Sequence, residues 1–400
     1  MRTPGFLAIA GLALTLGCEQ LTTPAAEPDD LFDAPIDGLS SRELSAFLRG
    51  DEEFGRPFSA GEGLGPLFNN TSCAGCHSGD GRGNLSNRLT RFSQGTDLLF
   101  EVGGPQLQDK SLPTALPERL PPGVQVSVRL PPPVFGAGLI EAIPDAAILA
   151  NVDSLDADGD GISGRPNWVT PPAYLPATEP GAGPGLRIGR FGRKAQVSAL
   201  LQQVTEAYQQ DMGITSDFIP AENYGPGAAA STIAADRVAD PELPADVVLT
   251  VTNYLRMLAA PAPGRIAGSR LVGDSLFETI GCATCHVRTF QTGVSPIPAV
   301  AGRTVTLYSD LLLHDMGAGL ADDRPDGSAD GREFRTAPLW GLRLMRSFLN
   351  GQALLLHDGR ARSVEEAILL HGGEATAARD QFAALTPLGR AALLDFVGSR

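Results

Sequence analysis

The sequence predicts an all-α, loop-rich fold in which one plan is used twice in tandem. Three observations predict it. Gly (47) and Pro (32) make up about a fifth of the 400 residues, which favours short helices between long ordered loops. The length exceeds one ordinary core, so two domains are expected. The chain also repeats itself: "GPLFNNTSCAGCH" and "DSLFETIGCATCH" both carry Leu-Phe shortly before a C-x-x-C-H run.

Taken in order, residues 1–17, "MRTPGFLAIAGLALTLG", have one early positive charge and an apolar run of signal-peptide length, too short to span a bilayer. Cys18 follows Leu16-Gly17, and the junction resembles a bacterial lipobox, whose cysteine becomes the lipidated first residue. Glu19 after it resembles an outer-membrane rather than an inner-membrane signal, so a periplasm-facing, lipid-anchored protein is expected. Residues 18–37 read as a disordered tether. Domain 1 is expected over 38–262, closing with a helix at 243–260 in which Val248, Val251, Leu255 and Leu258 hold helical spacing. "PAPG" then acts as a linker, and domain 2 is expected over 263–400. Its last helix starts at Thr386, a capping residue, with Pro387 in the first helical position.

The net charge is −15 and no Lys/Arg run occurs, so nucleic acid and anionic membrane surfaces are poor partners. A basic electron carrier fits better, although solubility alone also explains acidity.

Setting Cys18 aside, the cysteines form two pairs, Cys73/Cys76 and Cys282/Cys285, each followed at once by a histidine, His77 and His286. The chain has only five histidines, so chance is a poor explanation. One four-thiolate zinc site would leave both histidines unexplained. So would two redox disulfides. Covalent c-type haem explains every residue: the thiols bond the vinyl groups and the next residue supplies an axial imidazole. Each half then has the plan of a cytochrome c domain, in which the first and last helices cross beside the haem. Two haem c groups are expected, with His77 and His286 as proximal ligands.

The other histidines, His314, His357 and His371, all follow the second motif, so domain 1 cannot supply a second imidazole to its own haem. That asymmetry points to a reactive first haem and an electron-relaying second one. For the second haem, His371 is the expected distal ligand and Met316 the alternative; Ser363 and Glu366 form a capping box that opens the helix before His371. His314 and His357 are expected to bond backbone or a haem propionate. Glu141 stands in an apolar run, "FGAGLIEAIP", where a desolvated carboxyl could act as acid/base at the first haem; a solvent-facing Glu at a helix start is the alternative. "DADGDGISGRPN" matches D-x-D-x-D-G, so Asp156, Asp158 and Asp160 are candidate calcium ligands, with Asn167 where an EF-hand has Glu. Trp168 or Trp340 could bridge the haems, but tryptophan is more often core.

Together "CHSGDGRG", "HDMGAGLADDR", "FRTAPLWGL", "LLHDGRA" and "EEAILLHGGEA" resemble the bacterial di-haem oxidoreductase family, once labelled thiol oxidoreductases. The resemblance covers roughly residues 40 to 400. The family is related to the bacterial di-haem cytochrome c peroxidases and the MauG-like enzymes. The resemblance implies a peroxidatic N-terminal haem, an electron-transferring C-terminal haem and calcium near the domain interface. It also implies that His371 stands where the peroxidases have a distal Met, that His357 lies in a loop near the haem interface, and that the peroxidases' distal His in the first domain has no counterpart. Hydrogen peroxide is the expected oxidant, and a small cytochrome c or cupredoxin the expected donor. MauG-like oxidation of a protein or small substrate and pure electron transfer are the alternatives.

Overall fold

The computed structural model describes residues 31–81, 83–225, 228–348 and 351–400. The leader, Cys18 and the tether through residue 30 lie outside them. The helices that position the sites are α1 (Ser41–Gly55), α2 (Ala137–Glu141), α3 (Leu200–Met212), α4 (Ala245–Met257), α5 (Ser269–Thr279), α6 (Val364–Leu370) and α7 (Pro387–Val397). Between them run long loops, as the Gly and Pro content requires.

Two helix pairs frame the fold. Helix α1 opens with a capping box: the Glu43 amide donates to Ser40 Oγ, and the Ser40 amide donates back to the Glu43 carboxylate at 2.7 Å. It buries Phe47, Gly50 and Phe54, an i, i+3, i+7 stripe, against α4, which turns Val248, Val251, Tyr254 and Leu255 inward. Helix α5 buries Gly273 and Phe277 against Leu393 and Phe396 of α7, whose first turn is capped by Thr386 as expected. Each pair makes its close approach at a glycine. A Cβ on Gly50 would collide with Tyr254, and one on Gly273 with the Ala392 carbonyl and Phe396.

The fold is helix-rich rather than all-α. Among the described residues the strands pair as five two-stranded antiparallel ribbons. The longest joins β1 (Leu89–Ser93) to β2 (Gln125–Arg129), with Arg91 opposite Ser127; a shorter one joins β3 (Leu313–Asp315) to β4 (Glu333–Arg335). The β1–β2 ribbon escapes a hydrophobicity reading because its pattern is inverted. Ser127 and Arg129 are buried, while Val126 and Val128 face outward.

The apolar core is not interrupted at the linker. One cluster joins Phe47, Val251 and Leu255 to Val305, Leu311 and Leu344, and a second, around Phe277, Phe382, Leu393 and Phe396, belongs to the C-terminal half. The end of the expected tether is also ordered. Phe32 stacks on Phe135 at 4.8 Å, the Ile36 amide donates to the Met257 carbonyl, and that of Ala259 to the Ala34 carbonyl. Two buried apolar anchors, Phe32 and Ile36, hold this stretch, which the acidic, Pro-rich composition around it conceals. No helix among the described residues is long and apolar enough to cross a membrane.

Gly50→Ala tests the helix crossing. Ala is the better helix former by about 1 kcal/mol, yet the collision with Tyr254 makes the variant less stable by about 1–3 kcal/mol in urea unfolding. Gly55→Ala, which meets nothing within 4 Å, is the control and leaves stability unchanged or raised.

Candidate haem sites

Each C-x-x-C run folds as a single helical turn, Cys73–Cys76 and Cys282–Cys285, with the histidine at its C-terminal cap. The His77 amide donates to the Cys73 carbonyl at 2.9 Å, and that of His286 to the Cys282 carbonyl at 3.0 Å. Two thiols and an imidazole thus leave one turn together. Ser72 Oγ caps the first turn by accepting from the Gly75 amide at 3.0 Å. Gly75 is needed there, since a Cβ would strike the Asn70 carboxamide, whose Nδ2 reaches Cys76 Sγ at 3.5 Å. A small cleft lined by Asn69, Asn70, Asn87 and Lys110 opens beside Cys76.

Among the described residues these four cysteines form no disulfide. Burial, with Asp211 nearby, pushes the Cys76 thiol up to about 12, and burial does the same for Cys282. Among the described residues no group of metal-ligating side chains combines the two pairs, as a four-thiolate zinc site would need. Desolvation pushes both cap histidines the other way, down to about 4, so each imidazole is neutral and keeps a lone pair for a metal. His286 Nδ1 lies 2.9 Å from the Tyr308 carbonyl, which makes Nδ1 the donor and leaves Nε2 to coordinate. His77 Nδ1 is buried, and the backbone of Pro132 and Gly81 lies beside its ring. Thiol pairs on one turn, beside a neutral imidazole with an oriented nitrogen, fit haem.

The repeat is clearest in the aromatic walls. Phe54 of α1 stands 6.2 Å from the His77 ring and 5.5 Å from Tyr254; Phe277 of α5 stands 6.3 Å from His286 and 5.4 Å from Phe396. Phe54, rather than the sequence-matched Phe68, is therefore the counterpart of Phe277. Leu67–Phe68 forms a short strand paired with Lys110–Ser111, because residues 56–72 are inserted between helix and turn in the first half.

The second site gathers more imidazole than the first. His371 ends α6, which Ser363 caps; its Nδ1 lies 2.6 Å from the Ala367 carbonyl, and its ring lies near that of His286. The rest of the expected capping box is absent, since Glu366 accepts from the Arg362 amide instead. Burial lowers His371 as well, so it too is a neutral ligand candidate. The Met316 backbone abuts Gly372. His314 is different. Burial opposes its protonation, but hydrogen bonds to Asp310 at 2.8 Å and Glu374 at 2.7 Å, with Cys285 nearby, push it up to about 12. As an imidazolium it has no lone pair for iron.

His357 comes from the C-terminal half but packs on the first. Its carbonyl accepts from the Leu130 amide at 2.8 Å, and its ring stacks on Phe334 at 4.3 Å. Desolvation pushes it down to about 4, and Arg193 faces both this ring and His77.

Glu141 is not the unpaired carboxyl expected. It is buried in α2, but Arg256 of α4 grips both oxygens, at 2.7 and 3.2 Å, and the Leu200 amide donates at 3.1 Å. Arg256 also pairs with Glu179 at 2.5 Å. The apolar run around Glu141 predicts burial but not a partner 115 residues away. The acidic loop forms a group of carboxylates that coincides only in part with the D-x-D-x-D-G positions. Asp153, Asp156 and Asp158 bring their carboxylates within 4.8 Å of one another, whereas Asp160 accepts from the Ile162 amide outside that group. Asn167 is fully buried, donating to the Lys194 and Asp326 carbonyls. Trp168 is 41% exposed on a ribbon, while Trp340 is core, packed over Gly136. The sequence reading also missed Tyr208, whose buried hydroxyl has no partner and whose ring lies near Cys73.

Fold and sites define a protein with two equivalent turn-borne centres in one chain. A family model described as "Di-haem oxidoreductase, putative peroxidase" matches residues 16–92 and 109–400, and the chain belongs to that family. No curated protein matches. Among solved structures, a chain of Kuenenia stuttgartiensis hydrazine synthase, pressurised with 20 bar xenon, is 14% identical over 100% of this chain and 99% of that one, with a TM-score of 0.40, a likeness that carries no argument.

Glu141→Gln breaks the ion pair and leaves Arg256 partly compensated by Glu179. The variant loses about 2–4 kcal/mol of stability in chemical unfolding, and any loss of turnover follows the loss of folded protein.

Proposed function

We propose that this di-haem oxidoreductase reduces hydrogen peroxide at a haem held by Cys73, Cys76 and His77, with electrons relayed through a second haem held by Cys282, Cys285, His286 and His371. The observation that carries the reading is the asymmetry between two otherwise matching turns: His371, kept neutral by burial, lies near His286 within the C-terminal half, while His77 is the one histidine of residues 1–262 and has only His357 brought to its side from the other half. Bound haem would supply redox-active iron, with Cys73, Cys76 and His77 to hold one group and Cys282, Cys285, His286 and His371 to hold the other, and an iron held by one imidazole would react with a small oxidant more readily than one held by two.

The chain's own residues do the rest. The helix turns orient thiols and imidazoles together, and the Tyr308 carbonyl fixes the His286 tautomer. Peroxide reduction to water takes two electrons and two protons, and the His357 ring, which burial keeps neutral, is our candidate for a transient proton acceptor on the first side. Glu141, saturated by Arg256, serves as a positioning residue between α2 and α4. The net charge of −15 favours a basic donor such as a small cytochrome c or cupredoxin. We assign calcium to the Asp153, Asp156 and Asp158 group. We also divide the chain into cytochrome c-like units over 38–262 and 263–400, and place it in the periplasm, anchored to the outer membrane through lipidated Cys18.

Protein produced with c-type maturation should carry two covalent haems by mass and pyridine haemochrome, with two irons and one calcium by elemental analysis. Replacing Cys73 and Cys76 by Ala should remove one haem and abolish peroxide consumption driven by a reduced small cytochrome c. His371→Met should keep both haems and raise the potential of one. An unchanged haem count in the cysteine variant would overturn the reading. In cells, Cys18→Ala should move the protein from the membrane to the soluble periplasmic fraction; unaltered membrane partition would remove the anchor.

A further inference from the structure

Away from the two turns, charge is buried where the β1–β2 ribbon meets the loop at 322–330. Arg129 donates to Asp326 at 2.7 Å, to Asp322 at 3.2 Å and to Ser127 Oγ at 2.9 Å. Lys194 pairs with Asp322 at 2.8 Å and donates to the Asp330 carbonyl at 2.5 Å. Arg324 gives Nη1 to Asp326 at 2.7 Å, and Arg91 Nε lies 3.8 Å from the same carboxylate. Four cations therefore share two carboxylates. Glu206 and Asp211 also face Arg91 from α3, but each is held by a glutamine, Gln202 and Gln106, and burial raises both toward their neutral forms, Asp211 to about 6.

The donors left over are specific. Arg324 is 0% exposed, yet its Nε and Nη2 make no hydrogen bond, and neither does Arg91 Nε. Nε and Nη2 are the parallel donors on one edge of a guanidinium, the fork that two oxygens of one carboxylate fit. Buried donors in a native protein are normally paired. The cluster also borders the first site. Gln106, bridged to Arg91 of the ribbon, donates to Asp211, whose carbonyl accepts from the Asn69 and Asn70 amides at 2.7 and 3.1 Å, and Asn70 Nδ2 reaches Cys76 Sγ at 3.5 Å.

We propose that Arg324, backed by Arg91, Arg129 and Lys194, forms a carboxylate-binding site beside the first C-x-x-C-H turn, with the Nε–Nη2 edge of Arg324 as its fork. Two sources offer that chemistry: a propionate of haem attached at Cys73 and Cys76, which rests on the reading above, and a free small carboxylate, which does not.

The test uses the full chain, haem-loaded where haem is found, with Arg324→Met, Arg324→Lys and Arg91→Gln. Each is followed by potentiometric titration and by calorimetry with sodium acetate. A propionate occupant predicts that Arg324→Met lowers the potential of one haem, because a positive charge that disfavours the ferric form is lost. Arg324→Lys should restore much of the shift, and acetate should not bind. A free carboxylate predicts acetate binding to the parent protein, its loss in Arg324→Met, and unmoved potentials. Should Arg324→Met fail to fold, Arg91→Gln, on the more accessible ribbon, is read in the same two ways. Parent potentials in the variants together with no acetate binding would overturn the proposal. If Cys73 and Cys76 carry no haem, the haem reading fails separately and acetate alone decides: binding supports the site and its absence overturns it.

Discussion

The constraint on which the structure depends is that two thiols and an imidazole must leave the chain from a single helical turn. The His77 and His286 amides close those turns onto the carbonyls of Cys73 and Cys282, so the three side chains are displayed without freedom to separate. One turn has no stability alone. The chain therefore brackets each with a helix pair, α1 with α4 and α5 with α7, whose aromatic residues at the crossing wall the imidazole. Desolvation by those walls keeps both rings neutral, as a metal ligand requires.

From that shared frame the two halves diverge. The second site draws its extra histidines from its own half, His371 at the end of α6 and His314 locked as a cation between Asp310 and Glu374, while the N-terminal half contributes Ser163, which donates to Glu374 at 2.9 Å, and Gly164, which packs against the His314 ring. The first borrows from its neighbour: His357, Phe334, Asp322 and Asp326 all arrive from the C-terminal half. The continuous core across residue 262 has the same origin, because a half that depends on the other for its surroundings cannot be cored alone.

How much the sequence discloses follows the range of each interaction. The turns, the closing helices α4 and α7 and the caps at Ser363 and Thr386 rest on contacts a few residues apart, and all were legible. The equivalence of Phe54 and Phe277 was not, because the insertion at 56–72 offers the decoy Phe68. Arg256 is 115 residues from Glu141 and Asp326 nearly 200 from Arg129, so burial could be inferred but not its compensation. The β1–β2 ribbon hid because its inward face serves charge rather than apolar packing. Asp153 stands outside the D-x-D-x-D-G pattern, so a pattern reading does not reach it.

Low-temperature electron paramagnetic resonance of the fully oxidised, haem-loaded protein tests the central claim of unequal sites most directly. The account predicts a high-spin ferric signal from the site of His77 beside a low-spin signal from the site where His286 and His371 face each other. Two low-spin signals that persist in the half-reduced protein would contradict it, and would make the chain an electron carrier with both irons closed.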